Sequence, residues 1–245
     1  MRRFMVVVAI VGVFALAAQA AEKIKVVVVT GGHGFDHDPF LKLFQGYDDI
    51  EAVEAAQKND SELFEDISQW PYDVIVLYNM TQNISEKRRE NFLKLLDKGV
   101  GLVALHHSLG AFQAWPEYAK IIGGRFYLSP TIVDGVKHPP STWREGLRYK
   151  VQVADAKHPI TRGVADFETH DEAYGKYSVD PQAHVLLTTE EPSSEKAIAW
   201  VKTYRKAPVC YILLGHDAAA YANESYRRLV VQAIRWAAGR LPEKE

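Results

Sequence analysis

Continuous apolar runs predict the first strands of the chain. KIKVVVVTGG at residues 23–32 and YDVIVLYN at residues 72–79 consist mostly of β-branched and other apolar residues. Runs of this length are typical of strands that are buried on both faces, as in a parallel sheet. A third run, GLVAL at residues 101–105, leads directly into His106 and His107, so the strand should end at this polar pair.

Segments with helical spacing separate and follow these runs. SELFEDISQW predicts a short helix, and SEKRRENFLKLLDKG predicts a longer one, with Ser85 as N-cap and Gly99 where the helix stops. WPEYAKIIGG predicts a helix with a proline in its first turn. In SYRRLVVQAIRWAAGR the apolar stripe expected to face the core consists of Leu229, Val230, Ala233, Ile234 and Ala237.

The pattern changes between residues 126 and 217, where the strands follow one another without helices. The segments LRYKVQVAD, HVLLTTE, KAIAWVKTY and APVCYILLG predict strands, and the last two are joined by a turn at Arg205 and Lys206. ETHDEAYG is interpreted as a segment between strands, either a solvated acidic loop or part of a site. The predicted fold class is α/β, a three-layer sandwich with a mainly parallel central sheet and an extended late β region.

The N-terminus predicts export. Residues 1–20 combine two arginines, an apolar run and the ending Ala18-Gln19-Ala20, which together indicate a secretory signal cleaved after Ala20. Residues 21–245 are then a single domain, exported to a periplasm or out of the cell and free of the membrane. An uncleaved membrane anchor is the alternative interpretation.

The composition argues against a nucleic-acid partner and against an internal disulfide. With 29 basic and 31 acidic residues and a formal net charge of −2, the chain has no basic block of the kind that binds nucleic acid. Cys210 is the single cysteine, so no internal disulfide forms, and its apolar surroundings indicate a small buried hydrophobe. No nucleotide cofactor is expected, and the oligomeric state is left open.

Histidines follow three of the predicted strands. His33 comes after VVVVTGG, His106 and His107 come after GLVAL, and His216 comes after CYILLG. In open parallel sheets the ligands bind beyond the carboxyl ends of the strands, where the loops converge. The sequence therefore predicts a site built from these histidines, provided that the three strands are neighbours.

The chain resembles the trehalose-utilisation or ThuA-like domains, which share the class I glutamine amidotransferase-like, flavodoxin-like fold. The resemblance covers about residues 24–240 and depends on the order of VTGGHGFDHDPF, GLVALHHSLGAFQAWPEYAKIIGGRF, HPITRGVADFETHDEAYG, LLGHD and IRWAAGR. The site residues that it implies are His33, His106, Asp171, Glu172, Tyr174 and His216. His107, and Leu109-Gly110 where many members have Thr-Asp, depart from the family pattern.

Amidotransferase chemistry does not fit the residues. At the strand-to-helix elbow, where those relatives place a nucleophilic cysteine, this chain has His106, His107 and Ser108. Ser108, activated by His216 with Asp171 or Glu172, is a weaker alternative. A divalent metal such as zinc suits the residue types better, with His33, His106, His216 and Glu172 as candidate ligands.

The resemblance implies sugar chemistry, on disaccharides oxidised to 3-keto derivatives. A ketone acidifies the neighbouring C–H, so a base, His216 or Glu172, would remove the proton while His106 or His33 steadies the oxyanion. The predicted catalytic residues are His106, His216, Glu172 and Asp171, and the predicted substrate contacts are His107, Tyr174, His138, Trp143 and Asp217.

Two other classes remain open. A non-catalytic carbohydrate-binding or accessory domain would use the same crevice and the same aromatic side chains without turnover. A structural module of a larger secreted assembly is the third alternative.

Overall fold

The computed structural model describes residues 22–58 and 60–241. The predicted signal segment, residues 1–20, lies outside the described residues. Within the described part, no helix has both the length and the apolar character needed to cross a membrane.

Strands dominate the described chain. They are β1 Ile24–Gly31, β2 Ile50–Ala56, β3 Val74–Asn79, β4 Gly101–Leu105, β5 Gly124–Arg125, β6 Thr131–Val133, β7 Val136–His138, β8 Thr142–Val153, β9 Phe167–Gly175, β10 Ser178–Val179, β11 His184–Thr189, β12 Ala197–Tyr204 and β13 Ala207–Ile212. The α-helices are α1 His37–Leu41, α2 Glu86–Asp97, α3 Pro116–Ile122, α4 Ala218–Ala222 and α5 Glu224–Ala237. Single 3-10 turns lie at Lys42–Phe44, Glu62–Phe64 and His106–Gly110.

Nine of these strands form one sheet in the order β2-β1-β3-β4-β13-β12-β11-β8-β9. The pairs from β2 through β13 are parallel, and the pairs from β13 through β9 are antiparallel. The predicted α/β fold, with a parallel core and a late β extension, is confirmed. The order also makes β1, β3, β4 and β13 consecutive neighbours, so the ends that carry the histidines lie side by side.

Apolar burial explains why the parallel strands occupy the centre. All six residues of β3 and all five of β4 are buried, as continuous apolar runs require. Helix α5 packs against β13 and β4, and the five residues of its predicted stripe are all buried. The side chain of Ser85 caps α2 by accepting a hydrogen bond from the backbone N–H of Arg88, at 3.4 Å.

Two local predictions were wrong, and one strand was missed. SELFEDISQW forms only one 3-10 turn, at Glu62–Phe64, because only a few of its residues find a buried face. Strand β2, at the edge beside β1, was not predicted. ETHDEAYG is not a loop between strands: it belongs to β9, which pairs with β8. Asp171 and Glu172 of this segment tolerate burial because their carboxylates are hydrogen-bonded.

Candidate active site

His106 is the first residue after β4, and hydrogen bonds to its backbone and ring fix its position. Its backbone has φ +45°, which turns the chain sharply out of the strand, and the Tyr211 hydroxyl donates to its carbonyl at 2.9 Å. The fully buried ring places Nδ1 2.6 Å from the carbonyl oxygen of Leu213. Because a carbonyl only accepts, Nδ1 carries a proton, and Nε2 is the ring atom that faces the cluster.

Asp171 positions the two other groups of the cluster. Its buried carboxylate accepts hydrogen bonds from the backbone N–H groups of Glu172 at 2.8 Å, Gly215 at 2.8 Å and His216 at 3.0 Å. Burial raises the pKa of Asp171, and His106 together with these N–H donors opposes that shift. Asp171 therefore ties β9 to the loop after β13, and it acts through its neighbours.

Three ligand-type atoms from three segments converge. His106 Nε2 lies 3.0 Å from Glu172 Oε2 and 3.2 Å from His216 Nδ1, and His216 Nδ1 lies 3.1 Å from Glu172 Oε2. The Tyr174 hydroxyl, on the same strand as Glu172, is 3.0 Å from His106 Nε2. The predicted meeting of His106, Glu172 and His216 is thus present in the fold, although their roles are still predictions.

The charges in this cluster are strongly coupled. Burial alone would raise the pKa of Glu172, but the hydrogen bonds with His106 and His216 outweigh it and bring the pKa to about 2. The hydrogen bond with Glu172 raises the pKa of His216 despite partial burial. The carboxylate is therefore ionised at neutral pH, and positive charge is favoured beside it.

A divalent cation fits this donor set. With its Nδ1–H committed to the Leu213 carbonyl, His106 can offer the Nε2 lone pair to a cation, and Nε2 lies 3.0 Å from Glu172 Oε2 and 3.2 Å from His216 Nδ1. Two imidazoles and a carboxylate are a common zinc set, and tetrahedral zinc ligands at their usual bond lengths stand about 3.3 Å apart. The three ligand atoms lie 3.0–3.2 Å from one another, close to that spacing.

A cavity of about 250 Å³ opens beside the cluster. Its lining residues are His33, Met80, His107, Gly110, Phe126, Leu128, Trp143, Glu145, Glu172, Tyr174 and His216. His33 is exposed and stacks on the ring of buried His107, with 4.5 Å between centroids. The Nδ1 atom of His33 lies 2.7 Å from the carbonyl oxygen of Gly34. The group of three converging ligands does not include His33.

The other predicted substrate contacts divide into two kinds. His107, Tyr174 and Trp143 line the cavity. His138 instead stacks on Tyr127, with 4.4 Å between the ring centroids, and is not among the lining residues. Asp217 is the N-cap of α4, where its side chain accepts from two backbone N–H groups of the helix.

Neither Cys210 nor Ser108 is set up for nucleophilic attack. Cys210 is buried within β13, in agreement with the prediction of a small buried hydrophobe, and that burial raises the pKa of its thiol. The hydroxyl of Ser108 is also buried and has no hydrogen-bond partner among the described residues. A triad with Ser108 would need a base at that hydroxyl, so the serine alternative has no geometric support.

Sequence reasoning missed several cavity residues. Met80, Phe126 and Leu128 are apolar lining residues without a distinctive sequence signal. Glu145 also lines the cavity, and it lies in TWREG, where Gly146 interrupts a strand-like pattern. A glycine inside a strand often marks a bulge that redirects a side chain. That signal was available and points to Glu145.

The fold and the site together define an α/β protein with a parallel core sheet, consistent with the class I glutamine amidotransferase-like type, and with a histidine and carboxylate cluster beyond the strand ends. The family model ThuA, described as trehalose utilisation, matches residues 25–237. The chain therefore belongs to the ThuA family.

Solved structures agree with this assignment at the level of fold. A ThuA-like protein from Parabacteroides merdae has a TM-score of 0.77 at 20% identity, covering 91% of this chain and 93% of that one. A ThuA-like protein from Bacteroides uniformis gives 0.63 at 21%, covering 91% and 95%. A β-galactosidase from Bacillus circulans gives 0.56 at 10%, over 87% of this chain and 31% of that one. No curated protein is significantly similar in sequence.

Proposed function

We propose that this protein is an exported carbohydrate-processing enzyme that acts on a glycoside or 3-keto-glycoside, with a divalent metal such as zinc held by His106, Glu172 and His216. The observation that carries the proposal is the convergence of these three side chains beside a cavity. A sugar ligand is supported by the family's description, trehalose utilisation. The sequence of residues 1–20 supports export to a periplasm or out of the cell.

The residues of the cluster and its surroundings have two roles, to bind the metal and to orient its ligands. A bound divalent metal supplies Lewis acidity, which polarises a carbonyl oxygen. The Leu213 carbonyl holds the His106 ring so that Nε2 faces the site, and Asp171 holds the backbone of Glu172 and His216. Such outer contacts orient the metal ligands and raise the basicity of a ligating imidazole.

The cavity suits one sugar ring. Its volume of about 250 Å³ is just below the usual range for small-ligand pockets, roughly 300–1,000 Å³. Trp143 is 63% exposed at the cavity, so a further ring can stack on its indole. His107 and Tyr174 contribute polar rings to the same wall, and these three residues are our proposed substrate contacts.

A 3-keto-glycoside gives these groups a defined task. The ketone acidifies the adjacent C–H, a base removes that proton, and the enediolate then expels the glycosidic oxygen by elimination. If His216 and Glu172 hold a metal, the lone pairs that either residue would need in order to act as the base are already engaged. A further group at the cavity must then take the proton.

A non-catalytic carbohydrate-binding domain is the second candidate, and the exposed indole of Trp143 favours it. Binding modules depend on such aromatic surfaces and do not need a buried cluster. For that alternative, sugar affinity would survive His106→Ala and His216→Ala. For the enzyme, both substitutions would abolish turnover.

The test is turnover of a 3-keto-glucoside with a nitrophenyl leaving group by the purified protein, with and without added zinc. We expect zinc-dependent release of nitrophenol that His106→Ala loses. His184→Ala is the matched control, because His184 is an exposed histidine on the wall of a different groove. No release by the wild-type protein under either condition would refute the enzymatic proposal.

A further inference from the structure

Glu145 is a carboxylate at the cavity that the proposed function does not yet use. It lines the cavity together with Glu172, Trp143 and His216. Among residues 22–58 and 60–241 its carboxylate makes no hydrogen bond and no ion pair, and it is exposed to solvent. Glu172, in contrast, contacts both histidines.

A β-bulge sets the position of Glu145. Trp143 pairs with Tyr174 and Arg144 pairs with Ala173, but the next pair is Leu147 with Asp171, so β8 has one extra residue here. Opposite residues in neighbouring strands share a face of the sheet, as do alternate residues of one strand. Trp143 and Glu145 therefore lie on the face that carries Glu172 and Tyr174.

Gly146 is the residue that the bulge requires. Its φ is +68°, a conformation that side chains rarely adopt. The extra residue ends the cavity-facing alternation of β8 immediately after Glu145, and Leu147 is then placed opposite Asp171. Bulges of this kind occur beside active sites, where they direct a side chain.

The cavity also brings Glu145 near the cluster. Glu145 shares this cavity with two of the proposed ligand residues, Glu172 and His216. A carboxylate with no partner, open to the cavity and close to the ligand histidine, is suited to exchange a proton with a bound sugar.

We propose that Glu145 is the catalytic base of the elimination, an inference that rests on the proposed function. Its carboxylate removes the proton from C2 of the 3-keto sugar, so the C2–H bond breaks and an O–H bond forms on Glu145. The electron pair of C2–H moves to the ketone oxygen as an enediolate. The enediolate then restores the ketone, forms the C1–C2 double bond and breaks the bond from C1 to the glycosidic oxygen. That oxygen takes the proton back from Glu145, so the carboxylate is regenerated and no oxidant is consumed.

The experiment compares Glu145→Gln with Glu168→Gln on the nitrophenyl 3-keto-glucoside. Glu168 is the matched control, because it is an exposed carboxylate on β9 that is not among the lining residues of the cavity. Loss of a general base lowers kcat by roughly 10²- to 10⁴-fold. We expect a fall of at least about 100-fold in kcat for Glu145→Gln with little change in KM, and wild-type values for Glu168→Gln.

Two further readouts separate catalysis from a structural role. Methyl 3-keto-glucoside in D₂O reports proton removal directly, as exchange at C2 seen by NMR, and Glu145→Gln should abolish this exchange. Added acetate or formate should restore turnover to Glu145→Ala, because it supplies the missing carboxylate. Zinc content should be the same in the wild type and both Glu145 variants, since Glu145 is outside the ligand group.

Each outcome is decisive. If the wild-type protein is active and Glu145→Gln has an unchanged kcat, or only a changed KM, the proposed role of Glu145 is overturned. The proposed function of the protein is unaffected by that result. A lower kcat in Glu145→Gln with C2 exchange retained, or no rescue of Glu145→Ala by either acid, also overturns it. Absence of turnover and of C2 exchange in the wild type overturns both proposals.

Discussion

The substitution Asp171→Ala tests how the active-site loop is held. It removes one buried carboxylate that accepts three backbone N–H groups, those of Glu172, Gly215 and His216. Each buried N–H left without an acceptor costs roughly 1–3 kcal/mol. The loss of stability is smaller than the total of these costs, because the buried carboxylate no longer has to be desolvated.

We therefore expect Asp171→Ala to lower the free energy of unfolding by about 3 kcal/mol, close to the cost of leaving a buried polar network half satisfied. For a chain of this size that corresponds to a fall of roughly 6–12 °C in Tm. Asp171→Asn keeps one acceptor oxygen but directs its NH₂ group at a backbone donor, so about 2 kcal/mol should be lost.

Urea unfolding monitored by tryptophan fluorescence measures both variants, and Glu168→Ala serves as the control on the same strand. The control should stay within about 0.5 kcal/mol of the wild type, as exposed substitutions usually do. A change below about 1 kcal/mol in Asp171→Ala would refute the reasoning, because three orphaned N–H groups cannot cost so little unless they find other acceptors.

Three other substitutions have defined outcomes. Gly215→Ala places a Cβ 2.1 Å from the Tyr226 hydroxyl oxygen, at a backbone φ of +107°, so thermal unfolding should show a loss of at least about 2 kcal/mol. Trp143→Ala removes a side chain that is 63% exposed, so the free energy of unfolding should stay within about 0.5 kcal/mol of the wild type. KM for the keto-glucoside should rise up to about tenfold, because an aromatic contact contributes roughly 0.5–1.5 kcal/mol. An unchanged KM would show that Trp143 does not contact the sugar. The hydrogen bonds from Arg235 lower the pKa of Asp49 below its ordinary 3.8, so the pair stabilises the fold above that pH, and the gain is lost as the pH falls through the lowered pKa. Asp49→Asn should therefore cost a few tenths of a kcal/mol at pH 7 in this half-exposed pair and nothing at the acid end, and a pH-independent difference in urea unfolding would contradict this.

The parallel core of the fold could be predicted because its strands are mostly apolar. The runs that became β1, β3 and β4 have few polar residues, namely Lys25 and Thr30 in β1 and Asn79 at the end of β3, and the helix at Ser85 has both a cap and a stop signal. Strand β2, IEAVEAA, was missed because its weak alternation of alanine with glutamate is equally compatible with a helix or a loop. It is held as an edge strand by pairing with β1, which no local pattern reveals.

The site was harder to predict because its residues break the local rules. ETHDEAYG reads as a polar segment, yet Asp171, Glu172 and Tyr174 are buried in β9. The carboxylate of Asp171 is hydrogen-bonded to residues more than 40 positions away, in the loop after β13, and Glu172 and Tyr174 contact the distant His106. Positions where local pattern and fold disagree are often functional. Glu145 was missed because it lies beside a bulge in β8, which Gly146 is the only local sequence feature to indicate.

Zinc binding by the purified, dialysed protein tests the central claim most directly. Isothermal titration should show one tight site per chain, which His106→Ala, Glu172→Gln and His216→Ala each weaken by at least about 10-fold and which His33→Ala leaves intact. The three weakened variants are those whose ligand atoms converge in the fold. The absence of a tight site in the wild type, or equal affinity in all four variants, would contradict the account.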